Sequence, residues 1–148
     1  TVLGLSKLLL GTTNPDEIAN LAKEGNESGV DLILEDVVSG PIGELPSDTT
    51  AVNFGKISKL DSEISKQDIA AGIVNLVGQT AARIATSVAT TFNAKEIVVV
   101  GRSPSFNGLK NSLEQAASIM GFSPHFPSNG EYASALGALL IAEKNPSD

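Results

Sequence analysis

The sequence predicts an α/β fold, helix-rich and with a short parallel sheet. Apolar residues recur at helical spacing in several stretches that open or close on capping residues. A continuous β-branched run, Ile97-Val98-Val99-Val100, ends in Gly101. That is the pattern of a strand buried on both faces, as in a parallel sheet. From the longest helix onward the order is helix, strand, helix, strand, helix, the alternation of layered α/β folds.

The first element is a helix in which Val2, Leu5 and Leu9 recur at helical spacing, with Leu8 beside them. No capping residue precedes them, and the chain opens at Thr1 without Met. A helix with its first turn cut away is expected to look like this; a removed Met or tag is the other reading. The second helix starts at Asn14-Pro15, a good N-cap followed by a residue suited to the first helical position. Asp16 and Glu17 fall in its first turn, where the helix dipole favours them. Ile18, Leu21 and Ala22 form its apolar face, and Gly25 ends it. Residues 1–25 thus read as a helical hairpin bent at Gly11.

Residues 30–38 are apolar and periodic, and both helix and strand fit them. Residues 39–50, rich in Gly, Pro, Ser and Asp, read as a loop. The longest helix runs from about Ser65 to about Phe92. Ser65 with Asp68 resembles a capping box. Ile69, Ile73, Leu76 or Val77, Thr80, Ile84, Val88 and Phe92 trace one face of this helix. Small residues crowd the same helix, among them Gly72, Gly78, Ala82 and Ala89, and they admit a neighbouring backbone. After the strand at 96–101 comes a helix from about Asn107 to Met120, stopped by Gly121. Residues 122–127 fit a short edge strand, because Pro124 and Pro127 are costly in a central one. A last helix covers about Gly130 to Ala142, and the polar tail from Lys144 to Asp148 is expected to fray.

The 148 residues have room for one domain with a real core. With 41% apolar and 18% charged residues the balance is globular. The formal charge of −7 and the lack of any Lys/Arg cluster argue against nucleic acid as a partner. An acidic chain still binds an anionic nucleotide through backbone N–H groups and helix ends. No apolar stretch is long enough to cross a bilayer, so no membrane partner is expected. The absence of cysteine excludes disulfides and thiolate zinc sites and fits a reducing, cytoplasmic compartment. One histidine, His125, leaves little scope for a His-based metal site or a triad.

The strongest local feature is strand, Gly101, loop, helix. Ligands of open α/β sheets bind at the carboxyl ends of strands. Gly101 either lets a flat ligand approach the backbone or simply makes a turn. Arg102 is at the rim of such a cleft or is solvated. His125 reads as a surface or edge residue, Glu131 as a dipole partner, and Glu35 with Asp36 as a solvated face. No nucleophile–base pair, carboxylate dyad, metal cluster or GxxxxGK[ST] loop is present, so no catalytic residue is assigned within the chain.

Several phrases in order resemble the type II pantothenate kinases. They are LGLSKLLLG with NPDEIANLAKEGNESGVDL, then AVNFGK, SKQDIAAGIVNLVGQTAARIA, IVVVGRSPSFNG and NGEYASALGALL. The resemblance covers nearly the whole chain. It implies the carboxy-terminal lobe of an actin-like, ribonuclease-H-like fold. It implies phosphorylation of pantothenate with ATP and Mg2+, the first step of coenzyme A biosynthesis, and a homodimer formed through the 65–92 helix. By that resemblance Thr1, Val2 and Leu3 trail a phosphate-contacting segment, and Gly101 belongs to the adenosine side. Arg102 replaces a residue, often Ser or Asn, that contacts nucleotide. Pro15 lies near a position that is aromatic beside adenine in some members, and Asn26 stands where Asp is usual. The family's first phosphate loop, its Glu base and its pantothenate-binding Arg have no counterpart among these residues. The isolated chain is therefore expected to be inactive. Another small-molecule kinase of the same superfamily and a non-catalytic dimerisation or regulatory module are the alternatives.

Overall fold

The computed structural model describes residues 1–40, 42, 43, 45–59 and 63–144. The polar tail beyond Lys144 and parts of the 39–50 loop lie outside the described residues. Helix α1 spans Val2–Leu10 and ends at Gly11, whose φ of 79° is left-handed. Helix α2 spans Pro15–Glu24. Asn14 Oδ1 accepts the N–H groups of Asp16 and Glu17 at 3.0 and 3.4 Å, so the predicted cap forms. The periodic stretch after it splits between the two readings. Leu32–Ile33 is a short strand, β1, and Leu34–Val37 is one helical turn, α3. Strand β2, Thr50–Val52, pairs antiparallel with β1.

Helix α4, Lys66–Thr91, is the spine of the molecule. On one half of it Ile73, Val74 and Ala70 pack with Val2, Leu10, Ile18 and Leu109. On the other half Ala82 packs with Leu113 and Ala117 of α5, which spans Asn107–Ile119. Two glycines fix these approaches. A β-carbon at Gly78 would fall 2.6 Å from Ser112 Cβ and 2.9 Å from the Leu109 carbonyl oxygen, so α5 crosses α4 where α4 has no side chain. At Gly72 the same atom would collide with Val30 and touch the Phe54 ring. The last helix, α6, spans Ala133–Lys144 after a 3-10 turn at Gly130–Tyr132.

Three expectations are corrected. The buried face of α1 is Val2, Ser6 and Leu10, while Leu8 and Leu9 are exposed. The far half of α4 buries Ala82, Thr86 and Ala89, and leaves Ile84, Val88 and Phe92 in solvent. Periodicity follows the large residues, whereas the close crossing of α5 selects the small ones. The segment at 96–101 is extended but is not buried on both faces. Its parallel pairing is one bridge, Val98 to His125, and the regular sheet is the antiparallel β1–β2 pair.

Candidate functional site

A cavity of about 620 Å3 opens where the first turns of α1 and α2 face the start of α5. Thr1, Val2 and Leu3 line it from α1, and Pro15, Asp16 and Ala19 from α2. Val77 of α4 and Leu109 of α5 form its apolar floor with Phe106. Arg102 and Ser103 enter from the loop that follows Gly101. Five residues singled out from the sequence, Thr1, Val2, Leu3, Pro15 and Arg102, thus meet at one cavity. The sixth, Gly101, lines a neighbouring recess of about 200 Å3 with Lys110, Phe126 and Gly130.

The two helix ends offer different chemistry. In α2 the Asn14 side chain already occupies two of the orphan N–H groups. In α1 no side chain caps the first turn. Its free amides, and the positive end of its dipole, are the stronger attractor for an anion. The apolar walls of Pro15, Ala19, Val77 and Phe106 suit a flat ring system. Arg102 is exposed at the rim, where a fixed positive charge assists a phosphate group.

Gly101 has φ of +94°, a backbone conformation that excludes ordinary side chains, and open space where a β-carbon would stand. The backbone makes a turn here, and the open space beside Gly101 leaves room for the close approach of a ligand as well. The Gly101 N–H donates to the Gly130 carbonyl at 2.9 Å and brings the last helix beside the cavity loop. The side chain of His125 is exposed, and its backbone pairs with Ile97 and Val99. Asp36 is more than a solvated carboxylate. It accepts the Ile33 N–H at 2.9 Å and pairs with Lys56 Nζ at 2.7 Å, and these contacts, Lys56 foremost, hold its pKa below the usual carboxylate value.

A second polar centre went unread in the sequence. Asp31 is fully buried. Its carboxylate accepts the Phe54 N–H at 2.6 Å, Asn75 Nδ2 at 3.0 Å and Asn53 Nδ2 at 3.3 Å. Asn75 also donates to Thr50 Oγ1 at 3.1 Å. Burial raises the Asp31 pKa, and the hydrogen bonds only partly oppose it. The network locks the turn after β2 onto α4, with Phe54 held at φ of 56°. The available signal was Asn75, a polar residue inside the apolar run Ala70–Val77.

Magnesium is normally held by one or two carboxylates together with substrate phosphates. Asp16 is the single carboxylate lining the large cavity, and among the described residues no group of three or more His, Cys, Asp or Glu side chains converges. The donor set of the described residues therefore does not by itself make a magnesium site. Among the described residues no helix is long and apolar enough to cross a membrane.

The model of the Fumble family matches residues 1–140. The chain belongs to the Fumble family. Its curated relatives include a type II pantothenate kinase of Staphylococcus epidermidis, 30% identical over 142 residues, which are 95% of this chain and 54% of the relative. A type II pantothenate kinase of Bacillus cereus is 30% identical over 148 residues, 99% of this chain and 54% of the relative. One from Bacillus anthracis is 31% identical over the same length, again with 54% of the relative covered. This Fumble-family chain spans about half the length of the curated relatives it matches.

Proposed function

We propose that the chain is the carboxy-terminal, nucleotide-side lobe of an actin-like type II pantothenate kinase, acting in the cytoplasm. The observation that carries this reading is the cavity. An uncapped helix start, an apolar slot and Arg102 converge there, in a chain similar over 95% or more of its length to proteins named type II pantothenate kinase.

In this reading Pro15, Ala19, Val77 and Phe106 enclose the adenine ring of ATP. The amides of Thr1, Val2 and Leu3 face its phosphates, with Arg102 as an added cation at the rim. Gly101 sets the course of the loop that carries Arg102 and Phe106. The acceptor hydroxyl of pantothenate forms a bond to the γ-phosphorus as the bond to the bridging oxygen breaks, and ADP leaves. Such transfers depend chiefly on positioning and charge stabilisation. The base that takes the hydroxyl proton belongs to the half of the kinase outside these residues, as do the main magnesium contacts. The chain alone is therefore inactive. The exposed row Ile84, Val88 and Phe92 on α4 supports the proposed homodimer, because it forms one straight apolar stripe at four-residue spacing.

The test is ADP release by the intact polypeptide carrying this chain. Release that requires both ATP and pantothenate is expected. Robust turnover by the 148-residue chain alone would overturn its assignment as a single lobe.

A further inference from the structure

The cavity holds two charges of opposite sign that do not meet. Asp16 lines it from the first turn of α2, and Arg102 lines it from the loop after Gly101. Among the described residues neither side chain forms an ion pair or a hydrogen bond. The neighbouring carboxylate is engaged, because Glu17 accepts the Thr12 hydroxyl at 2.5 Å. Asp16 is held only through its backbone, whose N–H donates to Asn14 Oδ1 at 3.0 Å. Its carboxylate stands open at the cavity wall.

Burial orders this wall from rim to floor. Pro15 and Asp16 are exposed, Ala19 one turn along α2 is half-buried, and Leu109 is buried. The two helix starts also differ in sign. The first turn of α1 presents free amides, whereas that of α2 presents a carboxylate, with two of its amides already taken by Asn14. An anionic ligand group is drawn to α1 and Arg102 and repelled from Asp16. What faces Asp16 must donate hydrogen bonds and carry no negative charge.

We infer that Asp16 is a specificity-determining residue that accepts the ribose hydroxyls of the nucleotide. The inference rests on the kinase reading of this cavity and deepens it. With the base in the slot around Ala19 and Val77 and the phosphates at the start of α1, the sugar is the part that joins them at the rim. Its 2′- and 3′-hydroxyls are neighbouring donors, and an ionised carboxylate has two oxygens to accept them. Carboxylates select ribose in this way in dinucleotide-binding folds. The amino group of adenine is the other donor of ATP. It belongs to the ring, whose slot lies one turn deeper than Asp16.

The test compares ATP, 2′-deoxy-ATP and inosine triphosphate as phosphate donors for the intact polypeptide at saturating pantothenate, in the parent, Asp16→Asn and Asp16→Ala. The parent is expected to favour ATP over 2′-deoxy-ATP by about tenfold or more in kcat/KM, the effect of losing one hydrogen bond to a charged group. In Asp16→Ala that preference is expected to fall to about twofold or less, through a raised KM for ATP. Asp16→Asn keeps one acceptor oxygen and is expected to fall between. Asp16 is exposed, so both variants are expected to fold, which their Tm checks. A role only as a charge at the helix start would lower Tm and leave the preference at its parent value, and that result overturns the inference. A preference for ATP over inosine triphosphate that is lost in Asp16→Ala while the ribose preference stays would place Asp16 at the base and overturns it too. Pantothenate-dependent ADP release by the parent, with ATP and 2′-deoxy-ATP used equally well, overturns the inference and leaves the kinase reading intact. Absence of any pantothenate-dependent release overturns that reading, and the inference with it.

Discussion

Asp68 accepts the backbone N–H of Asn26 at 2.8 Å, reaching out of its own helix to hold the end of another segment. Ser65 caps α4 by accepting the Asp68 N–H at 3.0 Å. The carboxylate of Asp68, which would close a capping box, is turned to Asn26 instead. The junction after α2 is thereby docked on the first turn of α4. A β-carbon at Gly25 would run into the Gln67 backbone, and one at Gly29 would fall 2.8 Å from the Asp68 carboxylate. Asp68→Ala is expected to cost about 1.5 kcal/mol, the low end for a hydrogen bond to a charged group, because this one is exposed. Gly25→Ala is expected to cost more, since backbone must move. Urea denaturation of both variants checks the order.

Asp31 predicts an unusual pair of variants. Asp31→Ala leaves the Phe54 N–H and the Asn75 amide without their acceptor. It is expected to destabilise by about 3 kcal/mol or more, since each buried unsatisfied group costs about 1–3 kcal/mol. Asp31→Asn keeps one acceptor and removes the buried charge, so its cost is expected to be much smaller. The pH dependence follows from the raised pKa of Asp31. Between the unfolded value near 3.8 and the higher folded value, the native state holds more protons than the unfolded state. The stability of the parent relative to Asp31→Asn is therefore expected to fall as pH rises through that window. Asp36, with its lowered pKa, acts in the opposite sense. Its contribution is full above about 3.8 and is lost as pH falls through the folded value. Denaturant titrations across the acid range, with Asp31→Asn and Asp36→Asn, separate the two.

The proposed homodimer is tested by Ile84→Lys with Val88→Lys, which places two charges in the exposed stripe of α4. Both residues are solvent-facing within the chain, so the fold is expected to persist with little change in Tm. Sedimentation of the intact polypeptide is expected to show a dimer for the parent and a monomer for the variant.

Much of this architecture was legible because capping chemistry is local. Asn14-Pro15 and Ser65 mark helix starts by the bonds they make, and Gly11 and Gly121 mark ends by a left-handed backbone that only glycine takes readily. The buried stripe of α4 was legible only near Ile69 and Ile73. Beyond Gly78 the core is made of Ala82, Thr86 and Ala89, whose smallness matters only once α5 is known to cross there. Thr86 is a polar residue at a fully buried site, satisfied by the Ala82 carbonyl at 2.8 Å within its own helix. The Asp31 network joins residues 44 positions apart, a closure that no local pattern announces. At the cavity, residue resemblance pointed to Thr1–Leu3, Pro15 and Arg102. Asp16, Ala19 and Phe106 became visible only when α2 and the loop before α5 were brought to face each other.

The nucleotide assignment is tested most directly by initial rates of the intact polypeptide against ATP at saturating pantothenate, for the parent and for Ala19→Trp. Ala19 lines the cavity from α2, and a Trp side chain there fills the slot assigned to adenine. The expected result is pantothenate-dependent ADP release by the parent and a KM for ATP raised by about tenfold or more in Ala19→Trp, with the KM for pantothenate unchanged. An unchanged KM for ATP in a folded Ala19→Trp variant, or ADP release indifferent to pantothenate, would contradict the account.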